Sequence, residues 1–231
     1  MGVVVEGFRE AFRLLVTLND EVLGITLRTI QVSGSSTLIS VLLGIPAGAV
    51  VALNRFFGRA FLIDLINFGM GLAPVVVGLA VWLCFTRYGP LGMLNLLYTP
   101  TAMIVAQTII AFPVVTGLTL ASIQSVNPKM RLQMLSLGAT RGQYLLLLIW
   151  EARLGILAAV IAGFGRVISE VGASMMVGGN VRGYTRVLTT ATVMEIGKGQ
   201  FELAMALSIL LLLLNFFVVS VMSRLQQRGK I

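Results

Sequence analysis

Histidine is absent from the 231-residue sequence, and cysteine occurs once, as Cys84. The commonest acid/base group and metal ligand at neutral pH is therefore missing. A single cysteine in an apolar run makes no disulfide or multi-cysteine cluster within one chain. Redox and metal catalysis lack their side chains here. Charge is also scarce: Asp, Glu, Lys and Arg make up 11% of the residues, against about 25% in ordinary globular domains. No charge at all occurs over 29–54, 65–86, 88–128 or 203–223. What fills that space is apolar, with 57% hydrophobic residues and a mean hydropathy of +0.96. Lipid is the solvent such a chain requires.

The net charge of +8 does not point to nucleic acid. The basic residues sit at the ends of apolar runs and never form a block of five or six, which is a membrane-flanking pattern. The first twenty residues lack the basic start, unbroken apolar centre and small-residue cleavage site of a signal peptide. Val4, Phe8, Phe12 and Leu15 recur at helical spacing with Arg9, Glu10 and Arg13 elsewhere. A helix within 1–24 that lies in the membrane interface, or docks on the chain's own surface, fits that pattern.

A span needs about 20 apolar residues, and five are read, over 26–53, 61–86, 101–123, 143–165 and 202–223. The stretch RYGPLGMLNLLYTP, 87–100, is a loop between the second and third, and Pro113 is expected to kink the third. The fourth carries Glu151 and Arg153, which must lie near a helix end or face protein and water. The loop over 166–202 then separates the last two spans, and 224–231 is a tail. Five spans put the termini on opposite sides, but Lys and Arg divide evenly between the two sides, so charge bias gives no orientation. Ser33, Thr37, Ser40, Gly44, Gly48 and Ala52 share a face of the first span, and Gly155, Ala159 and Gly163 a face of the fourth. Small faces allow close helix approach, whether within the chain, at a dimer seam or along a substrate path. With no repeat and no low-complexity linker, 25–223 is one membrane domain.

Between the third and fourth spans lies SVNPKMRLQMLSLGATRGQ. Asn127 suits a helix cap, Pro128 the first helical position and Gly138 the end, so a short helix is read over 127–137. Met130, Met134 and Leu137 fall on one face, with Lys129, Arg131 and Gln133 elsewhere. Such a face suits either lipid or a groove in another protein.

The run LQMLSLGATRGQYLLLLIWEAR, 132–153, resembles the cytoplasmic loop of ABC-importer permeases of the binding-protein-dependent type, whose pattern is Glu-Ala-Ala, three residues, Gly, nine residues, Ile-x-Leu-Pro. Ser136, Leu137, Gly138 and Ala139 match. Leu132, Gln133 and Met134 replace the Glu-Ala-Ala, Leu148 and Trp150 the Ile and Leu, and Glu151 the Pro. The segment 150–192 resembles tungstate-type permeases and, less closely, molybdate and sulfate permeases; the likeness extends over 25–223. It implies an all-α transmembrane chain of the type I ABC-importer permease fold in the inner (cytoplasmic) membrane, N-terminus outside and C-terminus cytoplasmic. It further implies a homodimer that holds no cofactor of its own. Two cytoplasmic ATPase copies would carry ATP and Mg2+, and an extracytoplasmic oxyanion-binding protein would feed the dimer. Coupling to the ATPase would fall to Asn127, Pro128, Lys129, Met130, Arg131, Met134, Leu137, Gly138, Ala139 and Arg141.

In EVGASMMVGGNVRGYT, 170–185, Gly178 and Gly183 stand at P-loop spacing and Thr185 fits its last position. Tyr184, however, takes the place of the lysine that reaches the terminal phosphates, and no strand precedes the stretch. Nucleotide binding by this chain is not expected. Gly172, Ala173, Ser174, Gly178 and Gly179, with Arg166, Arg182, Arg186 and one acid, Glu170, can instead bend and offer N–H groups and positive charge to a small dianion. These charged residues and Ser174, with Ser33, Thr37 and Ser40, are the candidates for the path or outer gate. The plainer alternatives are an i, i+4 ion pair between Arg166 and Glu170, and docking of Arg182 and Arg186 on the binding protein or on lipid headgroups. Glu151 and Arg153 suit the base of the fourth span near the ATPase joint. A pore lined by many arginines would trap an oxyanion rather than pass it, so selectivity is expected in the binding protein. An ion-coupled carrier or channel is the other reading, but Asp64, Glu151 and Glu202 stand too close to span ends to form a relay. An intramembrane enzyme would need a nucleophile–base constellation that is not present.

Overall fold

The computed structural model describes Arg13 and residues 20–228. Most of the N-terminal helix read over 1–24 therefore lies outside the described residues, as does the end of the tail. Ten α-helices and no strand occur among the described residues: α1 (Asp20–Leu53), α2 (Arg59–Met70), α3 (Pro74–Phe85), α4 (Pro100–Gln124), α5 (Pro128–Ser136), α6 (Arg141–Glu151), α7 (Arg153–Ile168), α8 (Gly172–Gly178), α9 (Leu188–Gly197) and α10 (Phe201–Arg228). α1, α4 and α10 are each long and apolar enough to cross a membrane, and two bent pairs bring the total to as many as five.

Two of the five expected spans are these bent pairs rather than straight helices. The segment expected to be one span over 61–86 is α2 and α3, bent by 100°. Gly71 ends α2, and Pro74, which has no N–H to give to a continuing helix, starts α3. The segment read as a span over 143–165 is α6 and α7, bent by 67°. The break at Ala152 leaves Glu151 at the end of one helix and Arg153 at the start of the next, the location that an apolar medium demands of both. The 166–202 region is not a loop either: α8 packs on α3 and α4, and α9 on α10.

α1 and α4 form the spine. A Cβ on Gly48 would stand 2.6 Å from the Thr116 carbonyl oxygen and 3.0 Å from Thr119 Cβ, so the backbones meet where only glycine fits. The small face of the first span is thus spent on packing within the chain. The apolar core falls into three tiers along this spine. Ala49, Ala52, Ile123, Met134 and Leu148 close one end. Val32, Val77, Phe85, Met103 and Val177 fill the middle, and Ile25, Leu188, Ala191 and Leu207 the far end. α1 has 34 residues, and at 1.5 Å per residue its two ends stand about 50 Å apart.

Candidate functional site

The bundle presents two chemically distinct ends. At one, α5 is set by local chemistry. Asn127 Oδ1 accepts from the Lys129 N–H at 2.9 Å, capping the first turn. Gly138 adopts φ +77°, and in that left-handed turn the Ala139 N–H reaches back to the Met134 carbonyl at 3.3 Å. Thr140 then starts α6 through a capping box with Gln143. The three residues expected on one outward face separate. Met134 is buried against Leu148, Ile123 and Ala52, with Met130 packed beside it, while Leu137 is 88% exposed. The reason is geometric: α5 ends at Ser136, so Leu137 already belongs to the turn that Gly138 makes. Lys129 and Gln133 are exposed as well. Pro128, Arg131 and Arg141 lie on the described backbone, but their side chains are outside the described residues.

Burial of a methionine contributes about 1.5–3 kcal/mol, enough to bind α5 to this chain's core. Met134 packs with Leu148 of α6, which ends at the Ala152 elbow where α7 begins. A polar hollow of about 240 Å³ opens at that elbow between Ser122, Asn127, Glu151 and Gly155. The Arg153 guanidinium lies 4.2 Å from the centre of the Trp150 ring, a cation–π contact that braces the elbow.

At the opposite end the 170–185 stretch closes on itself. Thr185 Oγ1 donates to the Gly178 carbonyl at 2.6 Å and accepts from the Val181 N–H at 2.9 Å. The Tyr184, Thr185 and Arg186 N–H groups all turn to the Val181 carbonyl. Thr185 thus locks a loop, and these amides are already bonded rather than offered to an anion. Glycine serves close approach: a Cβ on Gly178 would stand 2.7 Å from Met103 Sδ, and Gly179 at φ +67° lies under Tyr98. Glu170 is buried, and its carboxylate accepts from the Ala173 N–H at 2.8 Å, capping α8. Arg166 donates to the Leu72 carbonyl at 3.2 Å. The Arg166–Glu170 ion pair does not form, because each side chain is engaged elsewhere.

Arg182 and Arg186 converge on a residue that sequence spacing did not single out. Arg182 Nε donates to Glu21 Oε1 at 2.8 Å and its Nη2 to Oε2, forming a fork on the carboxylate. Arg186 Nη1 reaches Glu21 Oε1 at 3.5 Å. The hydrogen bonds that Arg182 donates to the Glu21 carboxylate hold its guanidinium pKa above the ordinary value. Lys198 Nζ pairs with Glu195 Oε1 at 2.9 Å beside them. Glu21 escaped notice because it lies 161 residues from Arg182; an acid in the first turn of an apolar helix reads as a dipole partner.

Between the ends, Ser33, Thr37 and Ser40 of α1 are buried. Thr37 and Ser40 donate to carbonyls one turn back, of Ser33 and Ser36. Ser174 belongs to a deeper network: Gln107 Nε2 donates to its Oγ at 3.0 Å while Gln107 Oε1 accepts from Ser36 Oγ at 3.2 Å. Gln107 ties α1, α4 and α8 together and was also missed, as one amide in an apolar run with partners far along the chain.

The family described as the binding-protein-dependent transport system inner membrane component matches residues 41–230. The chain is 37% identical over 227 residues to the tungstate uptake system permease protein of Peptoclostridium acidaminophilum, covering 98% of this chain and 100% of that protein. It is 41% identical over 209 residues to a probable anion ABC transporter permease of Haloferax volcanii, covering 88% and 90%. Molybdenum and sulfate transport permeases match at lower identity. Among solved structures, the inward-facing MetNI methionine ABC transporter gives a TM-score of 0.75 at 18% identity over 92% of this chain and 98% of that one. A bacterial alginate ABC transporter in complex with its periplasmic protein gives 0.79 at 18% identity over 97% and 86%. At that identity the likeness is one of fold.

Proposed function

This chain belongs to the family of binding-protein-dependent transport system inner membrane components, and from that premise we propose that it is the permease subunit of an ABC importer for a small tetrahedral oxyanion, tungstate first. The observation that carries the cargo is the end-to-end match to a tungstate uptake permease. In this reading the chain performs no chemistry. Two copies enclose the path in the inner membrane, with N-termini outside, and two cytoplasmic ATPase chains supply the work with ATP and Mg2+ of their own. An extracytoplasmic binding protein delivers the anion.

The coupling role falls to α5 and its turn. Leu137 and Lys129 face the ATPase, and Met134 fixes the helix to α6, so closure of the paired ATPases moves α5 as a lever and reorients the spans about the Ala152 and Gly71–Pro74 elbows. Gly138 sets the angle between lever and span; Ala139 and the Asn127 cap hold its ends, and Pro128, Arg131 and Arg141 belong to the same cytoplasmic segment. At the other end the arginine-rich rim meets the binding protein. The buried Ser33, Thr37, Ser40 and Ser174 stabilise the helices that move and become path-lining only if α1, α4 and α8 part.

The test is reconstitution with the ATPase in liposomes, where ATP hydrolysis is measured as binding protein loaded with tungstate, molybdate or sulfate is added. Stimulation by the tungstate-loaded form is expected. Stimulation only by another loaded form reassigns the cargo, and failure of the ATPase to attach removes the importer reading.

A further inference from the structure

The rim encloses a cavity of about 340 Å³ between the first turns of α1, the Arg182–Arg186 loop and the α9–α10 junction. Its charged walls are Glu21, Arg182, Arg186, Glu195 and Lys198. Two buried atoms there have no hydrogen-bond partner among the described residues: Arg186 Nε and Glu195 Oε2. The Glu195 side chain is 7% exposed and that of Arg186 13%, so water outside does not serve them. An unpaired buried polar group costs about 1–3 kcal/mol, more when charged.

We infer that this cavity is a binding site for a tetrahedral oxyanion group, and that the Glu21 carboxylate is its built-in competitor. Arg182 and Arg186 grip Glu21 with the fork geometry that guanidinium groups use for phosphate-like anions. The Glu21 side chain is 41% exposed, so an anion that takes over its arginine bonds leaves the carboxylate a route to water. With Glu21 seated, three cations face two carboxylates. With Glu21 turned out, they face one, and the net charge suits a dianion. Arg186 Nε then has an acceptor, and a protonated or water-bridged oxygen can satisfy Glu195 Oε2.

A bare arginine site would hold its anion too long for a transport protein. A tethered carboxylate that re-enters as the anion leaves keeps occupancy brief. The identity of a free anion rests on the importer reading, whereas the site's chemistry does not. The same group could come from cargo or from a phospholipid headgroup, since Val22 and Leu207 add an apolar wall.

The permease–ATPase complex in phosphatidylcholine nanodiscs is titrated calorimetrically with tungstate. In parallel, the complex from phosphatidylglycerol nanodiscs is weighed by native mass spectrometry for retained lipid. Saturable tungstate binding is expected, tightened about tenfold by Glu21→Gln and weakened about tenfold by Arg186→Gln. Asp20→Asn removes the same charge from an exposed neighbour and is expected to change affinity less than about twofold. Retention of phosphatidylglycerol with the same dependence on Glu21 and Arg186, and no tungstate binding, assigns the site to a headgroup. The inference is overturned if neither anion binds, or if Glu21→Gln does not tighten binding; a gain of affinity also cannot come from misfolding. ATP hydrolysis with loaded binding protein, measured on the same discs, separates the two readings. Stimulation without an anion response to Glu21→Gln sinks the cavity and spares the importer; an anion response without stimulation by any loaded protein does the reverse.

Discussion

Gln107 is a single polar side chain whose removal reaches three helices. Gln107→Leu takes away the acceptor of Ser36 and the donor to Ser174 together, and leaves two hydroxyls in an apolar core. The Ser36 hydroxyl keeps a fallback, because it also bonds the Val32 carbonyl at 2.9 Å. The expected loss is therefore about 1–3 kcal/mol, at the lower end if the hydroxyls find other partners as they do in lipid. It should read as a lower melting temperature of the detergent-solubilised chain. An unchanged midpoint would mean that the network orders the helices without stabilising them. This residue also shows where sequence reading stops. Ser174 drew attention because its neighbours are small and glycine-rich, whereas Gln107 lies in a long uncharged run and its partners lie 71 and 67 residues away. Arg182 and Arg186 stood out in the sequence by their charge; the carboxylate that holds them did not, because pairing across the fold leaves no spacing to read.

At the scale of elements, local signals were the readable ones. The Asn127 cap, Pro128 and the left-handed Gly138 delimit α5 as Pro128–Ser136, within a residue or two of the helix read over 127–137. The face of α5 that points inward was not readable, because it depends on where the Gly138 turn sends α6. The broken spans were hidden for a related reason: freedom from charge measures how much apolar chain is available, not whether it runs straight through Gly71–Pro74 or Ala152. The split between Met134 and Leu137 gives a pair of variants with opposite expected behaviour. Met134→Ala removes a side chain from a packed core and should cost about 2–5 kcal/mol, seen as reduced thermal stability. Leu137→Asp changes an exposed residue and should leave stability within about 0.5 kcal/mol, while weakening co-purification of the ATPase and abolishing stimulated hydrolysis. If Leu137→Asp couples normally, the lever's contact lies elsewhere on α5.

For the whole molecule, the proposed function requires the two ends to work on different sides of the membrane. α1 runs from Glu21 in the rim cavity to Ala49 and Ala52, which pack with Met134 beneath α5. α5 and the arginine rim are therefore held about 45 Å apart by one helix, too far to share a compartment if α1 crosses the bilayer. Basic residues divide evenly between the sides, so the direction of crossing is a matter for measurement. Cys84 is the sequence's one cysteine, and Cys84→Ser provides a background for single reporters. Tyr184→Cys places a thiol at an exposed rim position and Leu137→Cys one at an exposed position beside α5. A membrane-impermeant maleimide added to intact spheroplasts should label the rim reporter and spare the other, and in inside-out vesicles the pattern should reverse. Labelling of Leu137→Cys from outside would put α5 out of reach of any cytoplasmic ATPase. The lever would then have nothing to pull on it, whatever the likeness of the fold.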